Sequence, residues 1–451
     1  MSRLAHSLRG NSLTARALRG STWTILGYGG GQVLRLASNL ILTRLLFPEA
    51  FGAMALVSMF LMGLAMFSDI GVGPAIMRST RGDDADFLNT AWTIQVVRGF
   101  CLWLVACALA WPMAWLYQTP DLAGWLLVGS LSLLIMGFNP TRMETANRHL
   151  ALGRVTLIDL SSQVIGLILA IALALALRSV WALVISGVLS SLVYLALNSA
   201  LLPGERNRFR WDRSAGHELI HFGKWIFLST VAGFLYSQGD RAILGKYLSL
   251  DMLGIYNIGY FLASFPMLLG GALVRKIMIP LYRERPPGAS AENFAKFRRL
   301  RVPLTAALVL LLIGLAVFGV ALVRLLYDPR YDAAGAVVVL IACAMIVPVI
   351  TVTYDQAALA SGDGRAFFAL AALKAGLLIV GLLAGVEMAG LFGALIGQGL
   401  AMLAIYPVTI WLARRQGAWD PGHDFGFAGI GALGVILAIW LNLEPISALI
   451  Q

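Results

Sequence analysis

Thirteen long apolar runs occupy most of this 451-residue chain, and they leave it few ways to fold. They lie at about 22–46, 51–77, 89–116, 122–141, 155–177, 180–202, 219–245, 253–282, 302–326, 333–360, 366–388, 390–413 and 424–443. A helix needs about 20 apolar residues to cross a bilayer core, and most of these runs reach that length. The connections between them are short and rich in Pro, Gly, Asp and Arg. Composition agrees: 59% of residues are hydrophobic and only 13% charged, and mean hydropathy is +0.80. Soluble domains are about 45–50% apolar and about 25% charged. A soluble enzyme, a disordered tail and a secreted disulfide scaffold are therefore excluded, and the chain reads as an all-α polytopic membrane protein. Cys101, Cys107 and Cys343 sit inside apolar runs, are odd in number and lack metal-ligand spacing, so they read as buried packing residues.

The net charge of +11 comes from 34 basic and 23 acidic residues. With the N-terminus inside, 22 basic residues fall in cytoplasmic segments, 5 on the opposite side and 7 within spans. This bias fixes the orientation by the positive-inside rule, with a cytoplasmic N-terminus. No basic patch carries interleaved stacking aromatics, so nucleic acid is not a partner. The segment before the first span lacks a cleavable signal. It reads as a basic amphipathic strip, Leu4, Leu8 and Leu13 against Arg3, Arg9, Arg16 and Arg19, suited to anionic membrane lipids.

The chain echoes itself. At an offset of 202, Arg44 pairs with Lys246, Leu46 with Leu248, Glu49 with Asp251 and Gly52 with Gly254. A second echo sets Pro140 and Gly153-Arg154 against Pro348 and Gly364-Arg365. The repeat unit is six spans, and an even number makes the repeats parallel, a transporter architecture with substrate between the halves. The expected domains are a cytoplasmic basic tail (1–20), an N-lobe (21–202), a cytoplasmic linker (203–218), a C-lobe (219–413) and an extra C-terminal span (414–451).

Charges within spans are costly, about 2.5–3.5 kcal/mol each on insertion scales, and should face the protein interior or a wet cavity. Arg35, Arg98, Lys224, Arg275, Lys276 and Lys374 lie at mid-depth or in the inner half, against the carboxylates Asp69, Asp159 and Asp355. This surplus of cations suits a multiply anionic substrate such as a diphosphate. The plainer reading is snorkelling and internal pairing. Asp240 and Arg241 are neighbours at the outer end of a span, and adjacent helical residues do not face each other, so no simple pair is expected. Gln32, Asn39, Tyr236, Gln238, Tyr354 and Gln356 could line a sugar path or bond helix to helix. The three carboxylates are the candidates for ion coupling. Pro74, Pro140, Pro266 and Pro348 allow bends, and Gly27, Gly29, Gly30 and Gly31 either soften the first span or pack it closely.

No phosphate-cradling or dinucleotide loop stands in a strand-to-helix context, so no cofactor is expected. His217-Glu218-Leu219-Ile220-His221 fits the two-histidine zinc protease pattern, an alternative function. Lys224 and Phe227 stand where its extended form needs a Gly and a third His, so no metal is expected.

Leu-Phe-Pro-Glu-Ala-Phe-Gly at 46–52, Phe67-Ser68-Asp69-Ile70-Gly71, and Gly239-Asp240-Arg241-Ala242-Ile243-Leu244-Gly245 followed by Leu253-Gly254-Ile255-Tyr256 resemble the polysaccharide flippases. These are the Wzx-type transporters of the multidrug/oligosaccharidyl-lipid/polysaccharide superfamily. The resemblance implies two parallel six-helix lobes in a V, as in MATE and lipid II flippases. It implies translocation of an undecaprenyl-diphosphate-linked oligosaccharide across the bacterial inner membrane by alternating access, without enzymatic change. It implies cationic lobe residues on the diphosphate, which suits Arg35 and Arg98. A monomer working beside polymerase or export machinery is expected. A MATE-like small-molecule exporter is the nearest alternative. Thirteen spans depart from the family's usual 12 or 14.

Overall fold

The computed structural model describes residues 13–69, 71–354 and 364–450, and no strand occurs among them. The helices form two compact units. One takes in the described residues up to Ala50 together with Val57–Val231; the other joins Phe51–Leu56 to Ala232 onward.

The first unit holds α1 (Leu13–Leu45), α2 (Pro48–Phe67) apart from its Phe51–Leu56 stretch, α3 (Val72–Arg78), α4 (Ala85–Leu116), α5 (Leu122–Gly129), α6 (Leu131–Gly137), α7 (Arg142–Arg148), α8 (Leu152–Leu177), α9 (Val180–Leu201) and the start of α10 (Arg213–Tyr247). Gly27, Gly30 and Gly31 turn toward Thr156, Leu160 and Gln163 of α8, so three of the four first-span glycines serve close packing. Gly29 has nothing within 4 Å. Val72, Ile76, Phe87, Ala91, Ala215 and Leu219 build an apolar core from α3, α4 and the start of α10. The segment ahead of α10 is zipped to α4: the amides of Arg208, Arg210 and Asp212 donate to Asn89 Oδ1, Thr93 Oγ1 and Thr90 Oγ1 at 2.9, 3.1 and 3.0 Å. Arg148 caps α3 by donating to the carbonyls of Ile76 and Ser79 at 2.9 and 2.7 Å. Its Nε and the His149 ring both meet Asp83, at 3.1 and 2.8 Å. Those contacts, the His149 hydrogen bond first and the Arg148 charge after it, hold the Asp83 carboxyl below its ordinary value.

The second unit holds the end of α10, then α11 (Leu250–Ala263), α12 (Phe265–Glu284), α13 (Ala291–Leu326), α14 (Ala334–Ala344), α15 (Ile346–Thr351), α16 (Gly364–Arg415), α17 (Pro421–Leu441) and α18 (Leu443–Ser447). Ala334–Ala342 is buried throughout and forms the middle of the unit. The α16 helix is a hairpin broken at Ala389–Gly390, where Gly390 takes φ +55°. Its arms meet through glycines: an added Cβ on Gly385 would lie 2.1 Å from the Gly393 carbonyl oxygen, and one on Gly397 1.9 Å from that of Gly381. The four-residue spacing puts both glycines of each arm on one face, so the backbones touch. The echoed motifs also meet: a Cβ on Gly52 would lie 1.9 Å from the Leu250 carbonyl oxygen and 3.0 Å from the Gly254 amide nitrogen.

All thirteen predicted runs contain helix. Among the described residues, seven helices are long and apolar enough to cross a membrane, or nine if two bent pairs each count as a span. The remainder has physical causes. Polar residues dilute α1 and α10; the run at 333–360 is divided between α14 and α15 and continues beyond the described residues; and α16 carries two runs. The bends, 58° before α7 and 45° between α11 and α12, fall next to Pro140 and Pro266. The run at 51–77 breaks after Phe67, where the Gly71 amide donates to Asp69 Oδ1 at 2.9 Å. Cys101 is exposed on α4, not buried: an apolar run facing lipid hides nothing within the protein.

Two buried polar clusters depart from expectation. Asp240 and Arg241 do pair, at 3.1 Å, because the long arginine side chain curls back along α10. Tyr256 Oη donates to Asp240 at 2.6 Å, and Arg241 lies 4.5 Å from the centre of the Tyr260 ring, so the two family-like motifs clamp α10 to α11. Arg301, one of the 22 basic residues placed in cytoplasmic segments, is 1% exposed inside α13, which starts at Ala291 rather than near 302. It donates to the Ala418 carbonyl at 3.0 Å and to Tyr354 Oη at 3.2 Å. Tyr354 in turn donates to Asp424 at 2.8 Å, where Tyr406, Trp419 and His423 also converge. The last long helix is thereby locked to α13.

Gly52→Val and Gly385→Val should each cost about 1–3 kcal/mol by forcing backbone apart, while Gly29→Ala stays within about 0.5 kcal/mol of the parent. Thermal melting of the detergent-solubilised protein, followed by size-exclusion chromatography, checks the order. Arg301→Met takes the donor from the Ala418 carbonyl and one of two donors from the Tyr354 hydroxyl, leaves Asp424 in a weakened network, and should cost about 3 kcal/mol or more. The same melting assay reads it. The Asp83 contacts should contribute fully above about pH 5 and fade as pH falls below about 4, because a carboxyl depressed in the folded state is stabilising only while ionised. Hydrogen exchange at the α3–α4 loop should show this acid loosening, and Asp83→Asn should abolish its pH dependence.

Candidate functional site

The two polar helices carry six of the fifteen expected site residues. On α1, Arg35 is exposed at mid-helix and makes no ion pair among the described residues, with Gln32 and Asn39 half-buried on either side in sequence. Asn39 has polar company of its own. On α10, Tyr236 and Gln238 are half-buried and also engaged.

Arg98 is differently placed. It is half-buried on α4 and its Nε donates to Ser68 Oγ at 2.9 Å, with a second bond to the Ala65 carbonyl. Asp69 is exposed and close enough to interact electrostatically with it. Arg98 therefore satisfies the C-terminal end of α2, where orphan carbonyls need donors. Internal pairing, the plainer of its two readings, describes its contacts here. Asp159 is half-buried on α8 and faces the Tyr194 hydroxyl of α9.

In the second unit, Lys374 and Tyr236 are brought together. With Thr351, Tyr406 and Thr409 they line a small cavity of about 20 Å3. That volume is room for one water molecule, not for a sugar. Arg275 is exposed on α12 with no ion pair among the described residues. Tyr354 is not on an open path: it is 1% exposed and bound to Arg301 and Asp424. Asp355 and Gln356 lie outside the described residues, as do the side chains of Lys224, Lys276 and His221. His217 is exposed at the start of α10, and no metal-competent cluster of His, Cys, Asp or Glu occurs among the described residues.

Sequence reasoning missed Arg301, His423, Asp424 and Tyr406. Arg301 ends a basic stretch and looks like interface; Asp424 sits three residues after Pro421 and looks like a helix start. Only the packing of α17 on α13 shows that both are enclosed. The available signal was the density of ionisable and aromatic residues at the head of the last span, Trp419 to Asp424.

Residues 41–336, more than half of the chain, match the family model described as polysaccharide biosynthesis protein. The amylovoran biosynthesis protein AmsL of Erwinia amylovora is 24% identical over 55% of this chain and 65% of its own length. The succinoglycan biosynthesis transport protein ExoT of Rhizobium meliloti is 24% identical over 58% of this chain and 52% of its own. The teichuronic acid biosynthesis protein TuaB of Bacillus subtilis is 21% identical over 78% and 72%. The match thus spans between half and two thirds of the length of the first two relatives. Among solved structures, the lipid II flippase MurJ in an inward closed conformation superposes with a TM-score of 0.67, at 11% identity over 96% of this chain and 98% of its own. An outward-facing multidrug resistance MATE transporter gives 0.60 at 15% identity, over 91% and 97%. These likenesses establish the fold. With its apolar helices and the family match in hand, the chain is a multi-pass membrane protein that belongs to the polysaccharide biosynthesis protein family.

Proposed function

We propose that this protein is a flippase that carries an undecaprenyl-diphosphate-linked oligosaccharide from the inner to the outer leaflet of the bacterial inner membrane. It works by alternating access, changes no covalent bond, and has its N-terminus in the cytoplasm. The observation that carries the reading is Arg35: an exposed guanidinium in the interior of a 33-residue helix, ten residues before its end, with no ion pair among the described residues. A charge at that depth needs water or an anion, and a guanidinium fork matches phosphate oxygens. Arg275 is a second such cation. The polar character of α1 and α10, the first helices of the two echoed halves, supports a wet path along them rather than a lipid-facing surface. The relatives named for amylovoran, succinoglycan and teichuronic acid biosynthesis support a glycan cargo. The lipid II flippase supports a lipid diphosphate carrier.

In this reading Arg35 and Arg275 contact the diphosphate. Lys374 adds charge from beside its cavity, and Arg98 contributes field while its hydrogen bonds hold α2. Asp159, half-buried beside a tyrosine, is the favoured ion-coupling carboxylate. The protein acts as a monomer, handing its cargo to polymerase or export machinery.

Liposomes holding the purified protein and a fluorescent undecaprenyl-diphosphate oligosaccharide, without ATP, test the proposal. Protein-dependent transfer to the opposite leaflet is expected. Arg35→Ala should slow it about 10- to 100-fold, the loss of one charged hydrogen-bond partner, and Arg35→Lys should recover part. Normal transfer by both Arg35→Ala and Arg275→Ala would sink the assigned roles. No transfer, with native glycan and an imposed ion gradient, would sink the flippase and favour a small-molecule exporter.

A further inference from the structure

One open pocket of about 510 Å3 lies wholly within the first unit, away from the candidate path. It is enclosed by the start of α1, the α7–α8 connection and the end of α9, with Trp23, Arg142, His149, Leu150, Arg154 and Leu202 on its walls. Trp23 precedes Arg35 by twelve residues, about 18 Å along α1. The pocket is therefore not the Arg35 site.

Its chemistry is two-sided. No carboxylate lines it among the described residues. His149 is held by Asp83, and the Arg142 Nη atoms donate to the Leu202 and Ser199 carbonyls at 2.7 and 3.2 Å. What remains is the exposed Arg154, which has no hydrogen bond or ion pair among the described residues, and the Arg142 Nε, which is buried without an acceptor. The rest of the wall is mostly apolar: Trp23, Leu150, Leu152 and Leu202. Arginine donors above apolar walls suit a phosphate ester that carries hydrocarbon, and an indole suits the bilayer interface. The volume falls within the range of about 300–1,000 Å3 common for ligand sites and exceeds what a bare phosphate fills. The pocket also stands at the end of the unit that carries Arg148, Arg206, Arg208 and Arg210, the side facing an anionic leaflet in the orientation proposed above.

We propose that this pocket binds the phosphate headgroup of an anionic membrane phospholipid, with Arg154 on the phosphate, the Arg142 charge beside it, and the acyl region against Trp23 and Leu202. Such a lipid would fasten the start of α1 to the α7–α8 connection. The assignment does not depend on what the protein transports.

Native mass spectrometry of the full chain in detergent tests it, titrating dioleoylphosphatidylglycerol against dioleoylphosphatidylcholine. The anionic lipid should bind about tenfold more tightly than the zwitterionic one, the scale of one charged contact. Arg154→Ala should erase that preference. Ala151→Trp, which fills the pocket without changing charge, should lose the bound lipid, with melting temperature confirming that each variant is folded. Equal binding of the two lipids, or unchanged preference in both variants, would overturn the proposal. So would displacement of the lipid by millimolar inorganic phosphate, which would mark a simple anion site. Tighter binding of undecaprenyl diphosphate than of phosphatidylglycerol would overturn it in favour of a cargo entry site. Loss of lipid preference in Arg154→Ala with translocation intact would support the pocket and leave the transport reading standing.

Discussion

Hydrocarbon offers no hydrogen bonds, so every backbone amide and carbonyl within it must be satisfied inside the protein. That constraint makes the long apolar segments of the described chain helical and controls where helices can stop. Where they do stop, side chains take over the orphan groups. Arg98 serves the end of α2, Arg148 the end of α3, and Arg142 the end of α9. Arg98, which looks like a ligand-binding charge in a one-dimensional reading, is thus partly structural, as are two arginines of the basic segments.

Lipid also removes the usual hydrophobic gain of packing one apolar helix on another, so contact must come from shape. The α16 hairpin and the meeting of Gly52 with Leu250 show how: glycines let backbones touch where any side chain would collide. The echoed motifs acquire a physical meaning here. Glycine is needed at 52 because the first turn of α11 lies against it, and Asp240 with Tyr256 holds α10 beside that same helix. Residues that look like a family signature for transport are, in their contacts, a structural joint.

The same logic separates the charges. Arg301 and Asp424 are enclosed and linked through Tyr354, so they stabilise the docking of α17 and are closed to cargo. Arg35 and Arg275 are exposed at span depth and have no ion pair among the described residues. Burial and partnership, rather than depth along a span, decide which cations can meet a ligand.

Much was legible in the sequence because the membrane imposes it locally. Apolar runs of span length give the helices, the bias of basic residues gives the expected orientation, and Pro140 and Pro266 mark bends that the structure contains. Polar residues concentrated on the first span of each half already pointed to α1 and α10. The pairing of Asp240 with Arg241, the enclosure of Arg301 and the closed setting of Tyr354 were not legible. Each depends on which helix faces which, and on how far a long side chain reaches. A span's sequence determines that it is a helix in a membrane and which residues are costly there; only the packing of one helix on another decides whether such a residue is a strut, a cap or a site, because its partners come from segments distant in the chain.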